Sequence, residues 1–464
     1  MQDKMRSSPL LYAFLIMVMM VWVSLLGSGC AQIGAPTGGP KDSLPPKLVS
    51  SSPAVNSTSF SGNKVTLNFN EYIEVKDAYR NVLVSPYQKT NPVVDYKLKT
   101  VTVKLKDTLL PNTTYSINFG DAIVDINEGN VMKDFTYVFS TGTHIDSLTL
   151  QGKVVLAETG TADSTLIAML YRNADDSMVQ KRKPDYIARL SGDGHFSFNN
   201  LPPGNFKVYA LKDGDGSRTY NAKTETFAFL DAPVTVAANT APVILYAYDE
   251  VKDNKTLPTP VKNIKVLRYT ASVTPAQDIL TPLELTFNKP LKRMDPSKFI
   301  FTDSNYKPIS AAAPVMDSTH KKISFAVPWK PDNKYFLLVN ANSVEDSTGN
   351  ALAKSDTLRF VTRKETEYGK LLLRFSNIEM ANHPVLQFVQ GGEVKESVSI
   401  TSNEWSKALF QPGEYEIRIL YDNNRNGKWD PGNYGKKLQP EKVITLSQKL
   451  TVKANWENES EIKL

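Results

Sequence analysis

Pro111-Asn112-Thr113-Thr114-Tyr115 returns 220 residues later as Pro331-Asp332-Asn333-Lys334-Tyr335, with the same spacing from proline to tyrosine. Three further pairs keep the same order at offsets between 218 and 221. Leu67-Asn68-Phe69-Asn70-Glu71 pairs with Leu285-Thr286-Phe287-Asn288-Lys289, and Asp125-Ile126-Asn127-Glu128-Gly129-Asn130 with Asp346-Ser347-Thr348-Gly349-Asn350. Phe139-Ser140-Thr141 pairs with Phe360-Val361-Thr362. Four matches in one order at a nearly constant offset mark a duplication, and a duplication sets the architecture before any single element is assigned.

Around these anchors the apolar period is two. Val65, Leu67 and Phe69 alternate with polar residues, as do Val101, Val103 and Leu105, and Tyr115, Ile117 and Phe119. Each triplet turns one apolar face inward on a half-buried strand. The 28 prolines and the short Val-, Thr-, Ile-, Tyr- and Phe-rich runs between turn residues predict an all-β chain of tandem β-sandwiches. The tyrosine after Pro111 resembles the tyrosine corner of immunoglobulin-like folds, in which the phenol bonds to backbone a few residues upstream. With the entry Pro45-Pro46-Lys47 and Ser52-Pro53-Ala54, residues 46–143 and 251–366 resemble the Ig-like domain type named after bacterial S-layer proteins.

A second unit is also duplicated. Leu201-Pro202-Pro203-Gly204-Asn205-Phe206-Lys207-Val208 is matched at an offset of 209 by Phe410-Gln411-Pro412-Gly413-Glu414-Tyr415-Glu416-Ile417. Proline fixes φ for a turn and the glycine takes the positive φ that follows, so each segment reverses into a strand with Phe206 and Val208, or Tyr415 and Ile417, facing inward. Gly192-Asp193-Gly194 before Phe196-Ser197-Phe198 predicts a tight hairpin. Residues 144–250 and 367–464 resemble the prealbumin-like sandwich found as a regulatory module beside carboxypeptidases. The expected order is Ig-like, prealbumin-like, Ig-like, prealbumin-like: one two-domain unit, duplicated.

The N-terminus sets the expected location. Lys4 and Arg6 precede an apolar run from Pro9 to Leu26, then Gly27-Ser28-Gly29-Cys30, the only cysteine of the chain. A positive segment, an apolar segment and small residues predict a removable signal over residues 1–29. The placement of Cys30 resembles the lipobox of bacterial lipoproteins, with Leu26 four residues before the cysteine. That resemblance implies an acylated Cys30 as the mature N-terminus and a lipoprotein of the cell outer membrane, as in the Bacteroidota, on either its periplasmic or its surface face. An uncleaved membrane anchor is the alternative, since the run is nearly long enough to span a bilayer. Residues 30–45, rich in proline and glycine, predict an extended tether.

Catalytic signatures are missing. There is no Gly-x-Ser-x-Gly elbow and no P-loop, and the four histidines are scattered singly, against the clustered spacing of zinc sites. The net charge of +6 is spread without a basic stripe, which excludes a nucleic-acid partner by the usual electrostatic criterion. The candidate metal site is Asp422-Asn423-Asn424-Arg425-Asn426-Gly427-Lys428-Trp429-Asp430. Asp422, Asn424, Asn426 and Asp430 occupy loop positions 1, 3, 5 and 9 with glycine at 6, a spacing that suits calcium, although position 12 is Asn433 rather than glutamate. The competing reading is an Asx-rich turn bonded to its own backbone. Its counterpart, Asp213 to Arg218, keeps only the first two donors and reads as a turn. Tyr421, Trp429 and Tyr434 flank the Asp422 loop and Trp405 lies near the preceding strand, either as cover for their own sandwich or as a platform for a sugar or protein partner. Two functions therefore stand as expectations: a non-catalytic envelope lipoprotein serving as spacer, docking or adhesion protein for other envelope proteins, and a carbohydrate-binding accessory of an outer-membrane uptake system.

Overall fold

The computed structural model describes residues 9–26, 42–172, 175–252, 266–311 and 313–464. Cys30 and the tether up to residue 41 lie outside the described residues. The helix Pro9–Leu26 is mostly apolar and 18 residues long, about 27 Å at 1.5 Å per residue. No helix among the described residues is long and apolar enough to cross a membrane. The other described α-helices, Ala78–Asn81 and Met178–Lys181, are single turns, and the rest of the regular structure is strand apart from short 3-10 turns.

In the first sandwich one antiparallel sheet runs Leu48–Ser52, Lys64–Phe69, Thr100–Lys104, Val93–Lys97. It faces Leu83–Ser85, Thr114–Asn118 and Thr136–Ser140, with Ile73–Val75 paired to Ile123–Asp125 at one end. The nine alternating positions expected to face inward are all buried. Residues 269–361 repeat this strand order. Tyr269–Ala271, Leu283–Phe287, Lys322–Phe325 and Val315–Met316 face Phe299–Asp303, Lys334–Val339 and Asp356–Val361, with Leu291–Met294 paired to Val344–Asp346.

The tyrosine corner is present twice. The Tyr115 hydroxyl accepts from the Leu110 amide at 2.8 Å and that of Tyr335 from the Lys330 amide at 3.1 Å. The threonine closing each repeat also has one job in both copies. Thr141 Oγ1 accepts from the Thr113 amide and Thr362 Oγ1 from the Asn333 amide, each at 3.0 Å.

The second sandwich pairs Leu148–Leu156 with His195–Leu201 on one side and, in parallel, with Val243–Ala247 on the other. Its second sheet runs Tyr186–Arg189, Ile167–Arg172, Gly204–Leu211, Phe227–Phe229, with Val234–Val236 also on Gly204–Leu211. The fourth sandwich has the same order. Glu404–Phe410, Gly369–Ser376 and the parallel Glu457–Lys463 face Glu393–Ser399, Pro384–Gln390, Gly413–Tyr421 and Val443–Thr445, with Leu450–Val452 also on Gly413–Tyr421. Gly204 and Gly413 take φ of +151° and +155° at the turns, and Phe206, Val208, Tyr415 and Ile417 point into the cores.

Junctions between sandwiches use different chemistry. Between the first and second, the Arg189 guanidinium donates to the carbonyls of Arg80 at 2.9 Å and Asn81 at 2.6 Å. Between the third and fourth, the Tyr368 hydroxyl donates to Asp278 at 2.6 Å and accepts from the Ile279 amide at 3.0 Å. The second and fourth meet directly. The Val443 amide donates to the Ala157 carbonyl at 3.1 Å, and Thr445 Oγ1 donates to the Thr159 carbonyl.

Candidate functional site

The Asp422 loop leaves the end of Gly413–Tyr421 and returns at Val443–Thr445, so its register is fixed by two paired strands. Asp422 is buried, and its carboxylate accepts from the amides of Asn426 at 3.2 Å and Gly427 at 2.7 Å. Asn424 Oδ1 accepts from the Asn426 amide at 3.0 Å, and Asn426 Oδ1 from the Lys428 amide at 2.7 Å. The side-chain amides of Asn424 and Asn426 both donate to Asp430 Oδ2 at 2.6 Å. The four residues named from the sequence thus converge in one loop, with their acceptors engaged by the loop's own donors.

A third acidic group joins Asp422 and Asp430 from outside the motif. Glu441 is buried, and its carboxylate accepts from the Asn423 amide at 2.8 Å and the Asp430 amide at 3.1 Å. Burial is the largest influence on it and raises its pKa; the charges of Asp422 and Asp430 add to the rise, against the lowering effect of its two backbone hydrogen bonds. Spacing could not reveal Glu441, because it lies 11 residues beyond Asp430 on the returning chain.

Among the described residues, the group of three carboxylates whose ligating atoms lie within 4.8 Å of one another is at the counterpart loop: Asp213, Asp215 and Glu225. Each of these is also occupied. Asp213 pairs with Arg218 at 2.6 Å, Asp215 accepts from the Ser217 amide and the Asn221 side chain at 2.8 Å, and Glu225 accepts from the amides of Asn221 and Ala222 at 3.0 Å. No histidine belongs to such a group among the described residues.

The aromatic residues around the Asp422 loop do not make a sugar platform. Trp405 is half-buried and packs on Phe388 and Phe410. Trp429 is half-buried and donates to the Glu441 carbonyl at 2.8 Å, and Tyr421 packs on its own sandwich. Tyr434 is buried in the neighbouring sandwich. Its ring lies 5.1 Å from Phe227 and from Phe229 and 6.0 Å from Tyr209. Its hydroxyl donates to the Asp176 carbonyl at 2.6 Å, and its amide donates to Glu250 at 3.0 Å. Lys437 covers the Tyr434 ring at 3.8 Å and pairs with Asp176 at 3.1 Å, while Gln439 donates to the Phe229 carbonyl at 3.1 Å.

This plug explains why one sheet of the second sandwich is apolar on both faces. Met169, Tyr171, Tyr209, Leu211, Phe227 and Phe229 form a cluster on the face away from their own core, and Tyr434 belongs to it. The sequence signal was available: Leu166 to Tyr171 is an unbroken apolar run, the mark of a strand covered on both sides.

A cavity of about 80 Å³ lies between the first and second sandwiches beside Tyr87, Gln88, Lys183 and Arg218. Small-molecule sites occupy roughly 300–1,000 Å³. A second concave surface, of about 480 Å³, runs along the N-terminal helix past Tyr12, Ile16 and Met19 and is almost wholly apolar.

Residues 42–141 match the bacterial Ig-like domain family. No curated protein gives a match. Among solved structures, the Bacillus anthracis TIE protein is similar at 11% identity over 92% of this chain and 76% of its own, with a TM-score of 0.17. The N-terminal part of the S-layer protein SbsC is similar at 15% identity over 38% of this chain and 42% of its own, with a TM-score of 0.16. The BSP domain of a biofilm-associated protein is similar at 9% identity over 89% of this chain and 99% of its own, with a TM-score of 0.15. At these TM-scores the likeness carries no argument about arrangement or activity.

Proposed function

We propose that this chain is a non-catalytic cell-envelope lipoprotein, held at the outer membrane through an acylated Cys30, whose sandwiches serve as a spacer and docking body for other envelope proteins. The observation that carries this reading is the Tyr434 plug. Four small sandwiches with strand tethers alone would be separate beads, whereas the buried plug and its hydrogen bonds join the second and fourth into one body. The bacterial Ig-like domain at residues 42–141 supports an extracytoplasmic structural role. The cavity between the first and second sandwiches, at about 80 Å³, is too small for a small-molecule substrate. Calcium at Asp422, Asn424, Asn426 and Asp430, with Glu441 beside them, would brace the loop that carries the plug.

The test is fractionation of cells expressing the full chain and its Cys30→Ser variant, followed by crosslinking from intact envelopes. The reading expects an acylated N-terminal Cys30, loss of outer-membrane recovery in the variant, and crosslinked envelope proteins. A wild-type chain recovered free of membrane, or one crosslinking to nothing, would reject it.

A further inference from the structure

Three exposed apolar residues lie at one end of the first sandwich: Tyr72, Leu98 and Ile126, at 48%, 62% and 56% exposure. The backbone places them side by side. The Ile73 amide donates to the Leu98 carbonyl at 3.0 Å on one edge, and the Ile126 amide donates to the Tyr72 carbonyl at 3.1 Å on the other. Tyr72 is therefore flanked at about one strand spacing, ~4.8 Å, by each of the other two segments. Leu98 holds φ at +56° in the two-residue turn between Val93–Lys97 and Thr100–Lys104. A bulky residue in the left-handed region is an outlier that local structure does not favour.

The duplication supplies an internal control. In the third sandwich the Leu291 amide donates to the His320 carbonyl at 2.7 Å and the Ser347 amide to the Pro290 carbonyl at 3.2 Å, the same two bonds at the equivalent places. His320 takes φ of +57°, matching Leu98. There the exposed residues are Pro290, His320 and Ser347. The fold thus needs the backbone shape but not the apolar side chains, which belong only to the copy nearest the N-terminus.

The chain enters at this same end. The Asn130 side chain, from the loop that begins at Asp125-Ile126, donates to the Asp42 carbonyl at 3.0 Å, and the Lys47 amide donates to Asn70 Oδ1 at 2.6 Å. Asp42 is twelve positions beyond Cys30 in the sequence, a reach of roughly 40 Å at most. Lys99 lies over the Tyr72 ring at 5.4 Å, while Glu71, Glu128 and Asp42 stand nearby, so the surface carries no excess of positive charge.

We propose that Tyr72, Leu98 and Ile126 form a foot that rests in the headgroup region of the membrane to which the chain is tethered. The proposal rests on the anchoring stated under Proposed function. The aromatic ring and two aliphatic side chains suit the lipid interface, and the local charge balance makes the contact one of apolar insertion into uncharged lipid rather than attraction to anionic lipid.

The test uses the full chain purified with its N-terminal anchor and reconstituted into phosphatidylcholine vesicles containing a photoactivatable phosphatidylcholine, with crosslinked residues mapped by mass spectrometry. Crosslinks are expected at residues 72, 98 and 126 and not at 290, 320 and 347. They should fall at least tenfold in a Leu98→His/Ile126→Ser variant, which borrows the third sandwich's residues and so keeps the turn. Adding phosphatidylserine should not increase them. Crosslinks confined to the N-terminal segment, with none at the foot, would overturn the foot while leaving the anchor intact. No lipid crosslinks anywhere, or vesicles that sediment without the protein, would overturn the anchoring and the foot together. A foot that crosslinks to a co-purified protein instead of lipid would replace the membrane with a protein partner and overturn the proposal.

Discussion

The hydroxyl of Tyr434, in the fourth sandwich, lies 3.2 Å from the hydroxyl of Tyr209, in the second, across 225 residues of sequence. Burial pushes the Tyr434 phenol up to about 12, so the group is a neutral hydroxyl at ordinary pH and both tyrosines share hydrogen bonds rather than charge. Tyr434→Ala should destabilise the chain by about 3–5 kcal/mol, as for other large aromatic truncations. Tyr434→Phe keeps the packing and should lose about 0.5–1.5 kcal/mol for the bond to the Asp176 carbonyl. Chemical denaturation of both variants checks the order. Equal losses would mean that the ring's packing contributes nothing.

Separated halves should not behave as the duplication alone suggests. A fragment covering 45–250 leaves Phe227, Phe229 and Tyr209 without their cover. It should bind a hydrophobic dye and self-associate, and adding the fragment 251–464 should suppress both. A monomeric, dye-negative 45–250 fragment would mean that its aromatic face needs no partner.

Gly432 should be intolerant of a side chain. A Cβ there would lie 2.6 Å from the Tyr248 ring and 2.8 Å from the Leu438 carbonyl. Gly432→Ala is expected to cost about 1–3 kcal/mol through overpacking and to raise protease cleavage in residues 430–440. Unchanged digestion would place the loop further from the second sandwich than described.

Acid should act on the third sandwich through Asp346. Burial alone would raise its pKa, but bonds from Lys289 at 2.9 Å, from Thr348 and from Asn350 outweigh that and hold it well below the usual carboxylate range. A folded pKa below the unfolded one gives stability that is fully present above the unfolded value, about 3.9, and is lost as pH falls towards the folded one. Asp346→Asn should therefore destabilise at pH 7 by about 3–5 kcal/mol, since it leaves Lys289 as an unpaired, largely buried charge. The difference between variant and wild type should shrink below pH 4, and a constant difference from pH 7 to 3 would remove the ionised carboxylate from the account.

Asp422→Ala should cost about 1–3 kcal/mol in chelator, because the amides of Asn426 and Gly427 lose a buried acceptor. Calcium bound to the wild-type loop would add RT ln(1 + [Ca]/Kd), about 2.7 kcal/mol at a hundredfold excess. The variant should lose that increment. Identical wild-type melts in millimolar calcium and in chelator would return the loop to a self-capped Asx turn.

How legible was all this in the residues? Alternation at Val65, Leu67 and Phe69 specified strands with one buried face, because a period of two leaves a strand no other way to hide its apolar side. The tyrosine corners were legible because their partner amide is only five residues upstream of the ring. Asp422, Asn424, Asn426 and Asp430 were legible as a loop for the same reason of proximity. Glu441 was not, since only the returning chain brings it beside Asp430. The aromatics around that loop were the opposite case: Tyr434 read equally well as platform or as cover, and nothing local could decide.

By itself, then, the sequence determined what depends on short spacing: the β class, the strands with one buried face and the tyrosine corners. Tertiary structure alone decided what depends on residues far apart in the chain. It put Tyr434 under the second sandwich, gathered Glu225 with Asp213 and Asp215, and set Tyr72, Leu98 and Ile126 on one exposed end. The physical reason is that hydrogen bonds within a few residues are constrained by covalent geometry, whereas a contact across 225 residues depends on which of many apolar faces meet first and bury most.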